Sequence, residues 1–367
     1  MKKVLFVATI TKHIIGFHTP YLKWFKEQGY EVHVASNGNE KIEYCDKHFD
    51  IPFERFPIKV NNLRAYKQLK NVIDENKYTI IHCHTPVGGV LTRLAARDSR
   101  KNNKTKVMYT AHGFHFYKGA PILNWIIYYP IEKICARWTD CLITINQEDY
   151  KLAKRQFRIQ KIKLIHGVGV DENKFNIKVD KKRKIEIRHK LGLNEDDFVI
   201  SYVAELNNNK NQGMLIEVIK ELNNNKIKLL LVGTGVLKSE YIKKIYQYKL
   251  EKNILLLGYR KDIPEILKIS DLYISVSKRE GLPLNIIEAR IAKLPVIATD
   301  IRGHRELMKS EDLIKIDNKN DLKQKIEKVL INKPKIQPID SRYCLESVLK
   351  EMEKLYLEEI KESDYKW

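Results

Sequence analysis

Glu280 and Glu288 stand eight positions apart around the segment Glu280-Gly281-Leu282-Pro283-Leu284-Asn285-Ile286-Ile287-Glu288. The run before it, Asp271-Leu272-Tyr273-Ile274-Ser275-Val276, is short, apolar and β-branched, and reads as a strand. Pro283 suits the first position of a helix, where its missing N–H would have no partner anyway. Glu280 then falls on the strand-to-helix loop, and Glu288 about 1.5 turns into the helix, ~7 Å along its axis. The amides of residues 281–284 and the positive helix end form an anion site between the two carboxylates. A diphosphate fits there, with Glu288 reaching ribose hydroxyls on one side and Glu280 a sugar on the other. Either glutamate alone would read as solvated surface. The whole string, followed by the strand-like Pro295-Val296-Ile297-Ala298-Thr299-Asp300, reads as a nucleotide-sugar site.

Such a loop needs a sheet to hold it. The first half alternates predicted strands at 3–9, 31–36, 79–84, 106–111 and 141–146 with amphipathic helical stretches at 19–28, 62–76, 88–100 and 147–156. The second half repeats the rhythm, with strands at 198–204, 228–232, 253–257, 271–276 and 295–299 and helices near 211–223, 238–249, 283–293 and 341–361. This alternation predicts an α/β chain of two doubly wound, Rossmann-like parallel-sheet domains facing a central cleft, where the strands' carboxyl ends bind ligands. A length of 367 residues suits two cores. The polar, basic stretch Asn176–Lys184 places the boundary: 1–178 first, 179–345 second. The last helix, residues 346–367 with its approach, carries Leu349, Met352, Leu355 and Leu357 and is long enough to cross back to the first domain.

Three stretches carry a resemblance. Asp271 to Leu307 is similar to the E-x7-E signature of family 4 retaining glycosyltransferases with the GT-B fold. His82-Cys83-His84-Thr85-Pro86-Val87-Gly88-Gly89 and Tyr109-Thr110-Ala111-His112-Gly113-Phe114-His115-Phe116 resemble the subset that builds capsular polysaccharides and exopolysaccharides. Gly167-Val168-Gly169-Val170-Asp171, with Phe175, resembles that family's interdomain segment. The resemblance implies an N-terminal acceptor domain and a C-terminal nucleotide-sugar domain. It also implies transfer, with retention, from a nucleotide diphosphate sugar to a polyprenyl-diphosphate-linked or growing glycan. The donor is expected to be UDP- rather than GDP-linked, without a further cofactor.

Under that resemblance Glu280, Lys210 and His112 form the catalytic set. Lys210 lies just past the strand Phe198–Ala204 and before a helix, where its compact charge neutralises the leaving diphosphate. His112 ends a strand and orients a donor-sugar hydroxyl from the first domain. Donor binding falls to Glu288, Gly281, Leu282, Pro283, Leu284, Asn285, Glu205, Arg260 and Gly16. Two departures from the family stand out. Glu205 occupies a place usually held by arginine, so it either faces the acceptor or pairs with Lys210. Only Gly16 remains of two glycines in the first loop, Thr9 to His18. The backbone of Arg260, in Gly258-Tyr259-Arg260, is expected at the base. Gly233-Thr234-Gly235 is a weak glycine signal that a simple turn explains as well. No D-x-D occurs, which predicts a metal-independent transferase with no metal site.

The net charge of +21 is uneven: residues 1–178 hold 30 Lys and Arg against 16 Asp and Glu, an excess of 14, and the remainder an excess of 7. That asymmetry, the basic runs Lys59–Lys70 and Arg93–Lys106, and the aromatic stretch 114–129 predict an anionic membrane surface as a partner. The stretch either fills the first domain's core, which would account for Ile126 and Ile127, or lies at a membrane interface beside Lys118 and Lys133. Five cysteines without a C-x-x-C pair predict reduced thiols, with Cys83 and Cys141 in the core. Met1–Thr9 reads as a first strand rather than a signal peptide. The expected location is cytoplasmic, peripheral on the inner face of the cell membrane. The rivals are a nucleotide-sugar epimerase, which needs cleft carboxylates for acid–base work, and a basic nucleic-acid-binding protein, which needs aromatics on exposed strands. Nucleic acid is not expected as a partner, because here the aromatics cluster in one apolar stretch.

Overall fold

The computed structural model describes residues 1–57, 59–332 and 336–365. Two compact units result, one of residues 1–169 with 346–367 and one of residues 170–345. The first contains seven parallel strands: β1 (Lys3–Ile10), β2 (Glu31–Asn37), β3 (Lys47–Asp50), β4 (Ile80–His84), β5 (Lys106–Ala111), β6 (Cys141–Thr144) and β7 (Lys161–Leu164). Their order is β3-β2-β1-β4-β5-β6-β7. The second contains β8 (Phe198–Val203), β9 (Ile227–Val232), β10 (Ile254–Gly258), β11 (Leu272–Ser275), β12 (Val296–Thr299) and β13 (Leu313–Ile314), ordered β10-β9-β8-β11-β12-β13. Both sheets reverse their winding between the first strand and its outward neighbour, β1/β4 and β8/β11. Such a crevice at the carboxyl edge is where open α/β sheets bind ligands.

Along β1 the side chains divide by parity. Leu5 and Val7 join one buried cluster with Ile81, Cys83, Val107 and Tyr109, whereas Val4, Phe6 and Ala8 join another with Val32, Val34, Met108 and Ile143. A strand covered on both faces reads as a continuous apolar run for this reason. The helix Leu345–Tyr365 completes the second cluster with Val348, Met352, Leu355 and Tyr356. Its Tyr356 hydroxyl sits 2.7 Å from His82 Nδ1, and Lys161 reaches Glu359 and Glu362 at 2.7 and 2.9 Å.

The units meet along the chain between Gly169 and Val170, not at 178. The stretch placed at the boundary instead enters the helix Lys181–Lys190 of the second unit. There buried Arg188 donates to the carbonyls of Ile269, Glu195 and Asp197 and to Asp271 Oδ2, pinning the start of β11. The segment Thr11–Phe17 is a helix rather than the expected loop, so Gly16 lies inside a helix. The short strands β3, β7 and β13 and the helices Ile263–Ile269 and Lys319–Ile331 carry no turn or period signal strong enough to read from sequence.

The aromatic stretch divides between the two expectations. Phe114 and Phe116 are buried, and Trp125, Tyr128 and Tyr129 pack against the same cluster. Ile122, Leu123 and Ile126, on the helix Ile122–Cys135, are 78%, 59% and 64% exposed, so the core reading fails for Ile126. No helix of the described residues is long and apolar enough to cross a membrane.

Tyr356→Phe would leave His82 Nδ1 buried without its partner, at a cost of about 1–2 kcal/mol. Urea unfolding should show a lower midpoint for the first unit, and a wild-type midpoint would show that the contact carries no stability.

Candidate active site

Strand β11 delivers Ser277 to Glu280 to the carboxyl edge of the second sheet, beside the end of β8. The two loops are sewn together. Tyr202, on β8, has its hydroxyl 3.0 Å from Lys210 O and 2.8 Å from Ser277 Oγ. The Lys278 amide donates to Asn209 O at 2.7 Å, and Asn209 Nδ2 donates to Arg279 O at 3.0 Å. The result is a direct ion pair, Lys210 Nζ to Glu280 Oε1, at 2.5 Å and mostly shielded from water. Lys210 therefore pairs with Glu280 and not with Glu205, which is exposed, its carbonyl accepting from Gln212.

Behind the pair lies a support that the sequence reading did not single out. Arg302 is buried, with Nη2 3.3 Å and Nε 3.4 Å from Glu280 O. A Cβ on Gly303 would lie 2.7 Å from Gly281 O and 3.0 Å from Glu280 Cβ, so only glycine lets the 302–305 turn close on the loop. His304 is buried, its Nδ1 2.7 Å from Thr299 O and Nε2 3.3 Å from Ser275 Oγ, and burial lowers its pKa to about 4. It is neutral near pH 7 and fixes the turn. The glycine in Ile301-Arg302-Gly303-His304, directly after a strand, was the available signal.

The helix begins at Leu284, with Pro283 as its N-cap rather than its first residue. Pro283 brings no N–H, so the amides at this helix entry that an anion could take are those of Gly281 and Leu282 and of Leu284 and Asn285 in the first turn. The Asn285 side chain is engaged, Nδ2 donating to Val203 O at 3.0 Å, and it clamps the helix to β8. Glu288 makes no hydrogen bond or salt bridge to any described residue, and burial raises its pKa to about 7, against the pull of Lys174. A desolvated carboxylate without a partner is poised for hydroxyl donors.

Other expected residues sit elsewhere. The side chain of Arg260 forks onto Asp262 at 2.8 and 2.5 Å. Gly233 and Gly235 press against the chain itself, since a Cβ there would meet Ala204 O or Leu206 O, so the simple turn reading wins. His112 and Gly16 belong to the first unit, where His112 faces other histidines, 3.5 Å from His84 Nδ1.

Known proteins bear on this geometry. The model described as "Glycosyl transferase 4-like" matches residues 3–146, and "Glycosyl transferases group 1" matches residues 183–342. A Bacillus subtilis protein named as a glycosyltransferase, EpsD, is 46% identical over 91% of this chain and 89% of its own. The chain belongs to the glycosyltransferase family. An Escherichia coli relative of this glycosyltransferase, 32% identical over 69% of this chain and 65% of its own, is named UDP-Gal:α-D-GlcNAc-diphosphoundecaprenol α-1,3-galactosyltransferase. In fold, the glycosyltransferase is similar to HepE of Anabaena, crystallised with UDP, at a TM-score of 0.77 and 18% identity over 98% of this chain and all of that one. The GT-B architecture is thereby established, and the epimerase reading gains no support from these relatives.

A carboxyl whose folded pKa is about 7 and whose unfolded value is ~4.3 contributes stability that is fully present at low pH and lost as pH rises through 7. Glu288→Gln removes that loss, which is at most about 4 kcal/mol. The melting temperature of Glu288→Gln relative to wild type should therefore rise between pH 5 and pH 8. A constant difference would mean that Glu288 is not desolvated.

Proposed function

We propose that this glycosyltransferase moves a sugar, with retention, from a UDP-linked donor to a lipid-diphosphate-linked glycan during capsule or exopolysaccharide synthesis. The observation that carries the reading is the Lys210–Glu280 pair at the mouth of the 281–285 anion site, with the partnerless Glu288 farther along the helix. The relative with a diphosphoundecaprenol acceptor in its name, and the HepE structures with UDP and UDP-glucose, support acceptor and donor class.

Donor binding exchanges partners. The diphosphate takes Lys210 and the free amides, releasing Glu280 to accept hydroxyls of the donor sugar, while Glu288 accepts from the ribose. As the glycosidic bond breaks, charge gathers on the diphosphate, where Lys210 and the helix end stabilise it in place of a metal ion. The acceptor hydroxyl attacks the anomeric carbon on the face the diphosphate leaves, and its proton passes to the departing phosphate oxygen.

Glu288→Ala should raise KM for the donor about tenfold with kcat little changed, because ribose contacts are equal in ground and transition states. Glu280→Ala and Lys210→Ala should lower kcat by about 10²-fold. Transfer should need neither Mg²⁺ nor Mn²⁺. Wild-type turnover in both glutamate variants, or loss in EDTA restored by Mg²⁺ or Mn²⁺, would overturn the site.

A peripheral location on the inner membrane face is part of the same proposal. Ile122, Leu123 and Ile126, rather than the buried Phe116, offer the apolar contact, and the basic surplus of residues 1–178 offers attraction of about 1 kcal/mol per nearby cation. Liposomes with acidic lipid should sediment the protein at low salt, and Ile122→Ser/Ile126→Ser should remove the salt-resistant fraction. No sedimentation with either lipid at low salt would end this proposal.

A further inference from the structure

Four histidines converge at the β1/β4 crevice of the first unit. His13 lies in the helix after β1 and His18 ends that helix. His84 closes β4, and His112 follows β5 directly. One nitrogen from each lies within 4.8 Å of the other three. Ring centroids are 3.7 Å apart for His18 and His84, 4.8 Å for His13 and His112, and 5.1 Å for His13 and His18.

Burial makes the cluster costly as ordinary packing. His18 and His84 are 2% and 0% exposed. Yet both ring nitrogens of His18, Nε2 of His84 and Nε2 of His13 have no hydrogen-bond partner among the described residues. Each such orphan costs about 1–3 kcal/mol. The contrast lies within the same protein. His33, His82 and His304, equally buried, have both nitrogens bonded: Tyr78 and Glu31, Tyr356 and Thr110, Thr299 and Ser275 respectively. His82 precedes His84 by two residues on the same strand face, so strand position alone does not leave a histidine unsatisfied.

We propose that His13, His18, His84 and His112 bind a divalent transition-metal ion, Zn²⁺ foremost. Imidazole nitrogens suit Zn²⁺ at 2.0–2.1 Å, so a tetrahedral set spaces its nitrogens by about 3.4 Å. The helix after β1 and the ends of β4 and β5 already bring one nitrogen of each ring within 4.8 Å of the others, and side-chain rotation would supply the rest. His13 and His112 are half-buried, which leaves an entry path. His112 thus acquires a role other than the sugar contact expected for it, in a unit apart from the residues that carry the donor site.

The test is calorimetric titration of the chelator-treated full chain with Zn²⁺, with the absorption spectrum of Co²⁺ as a second readout. One equivalent should bind, with tetrahedral Co²⁺ bands, and Zn²⁺ should raise the melting temperature. His13→Ala and His112→Ala, chosen because half-buried sites tolerate truncation best, should each weaken Zn²⁺ at least tenfold while melting cooperatively without metal. His189→Ala, on an exposed helix end, should bind as wild type. No stoichiometric binding, or unchanged affinity in the His13→Ala/His112→Ala double variant, would overturn the proposal. Neither result depends on transfer activity, so it stands or falls apart from the donor site.

Discussion

The second unit is organised around one short ion pair. Lys210 and Glu280 come from different loops, 70 residues apart in the chain, and neither loop is held by its own secondary structure. What places them is backbone sewing between the ends of β8 and β11, with Tyr202 bonded to both sides. Mostly removed from water, the pair is worth more than a surface bridge, and breaking it by deleting one partner strands the other charge. A ligand that replaces both partners at once avoids that cost. A diphosphate joined to a hydroxylated sugar is such a ligand, offering an anion to the lysine and donors to the carboxylate.

The support beneath the pair follows the same logic. Arg302 holds the Glu280 carbonyl, Gly303 allows the close approach, and neutral His304 anchors the turn to β11 and β12. Glu288 lies about one turn into the helix without such support among the described residues, and burial raises its pKa to about 7. Engaged and unengaged carboxylates on one helix entry distinguish a group that must be displaced from one that must be satisfied.

Much of this was legible in residues 271–300, because a parallel strand is an apolar run and a strand-to-helix turn is punctuated by glycine and proline. Glu280 and Glu288 were singled out that way, and Lys210 from its place after the strand Phe198–Ala204 together with the family resemblance. Their mutual contact was not, since a pairing across 70 residues leaves no local period. Gly16 was misplaced because Thr11-Lys12-His13-Ile14-Ile15 has neither a cap nor a clear face, and tertiary packing made it helical. The aromatic stretch stays open between core and interface at the level of sequence. Hydrophobicity located it, but only the fold reveals that its aromatics turn inward while Ile122, Leu123 and Ile126 face out. The histidines at 13, 18, 84 and 112 were scattered over about 100 positions, and they converge through the order of β1, β4 and β5 and the helix that follows β1.

The central claim is that the donor's diphosphate must take Lys210 away from Glu280. Calorimetric titration with UDP, which carries the diphosphate but no sugar, isolates that exchange. Glu280→Gln removes the competing charge, so UDP should bind it several-fold more tightly than wild type, while Lys210→Ala binds it at least tenfold more weakly. Equal or weaker binding of UDP to Glu280→Gln, in a protein that still melts cooperatively, would contradict the account.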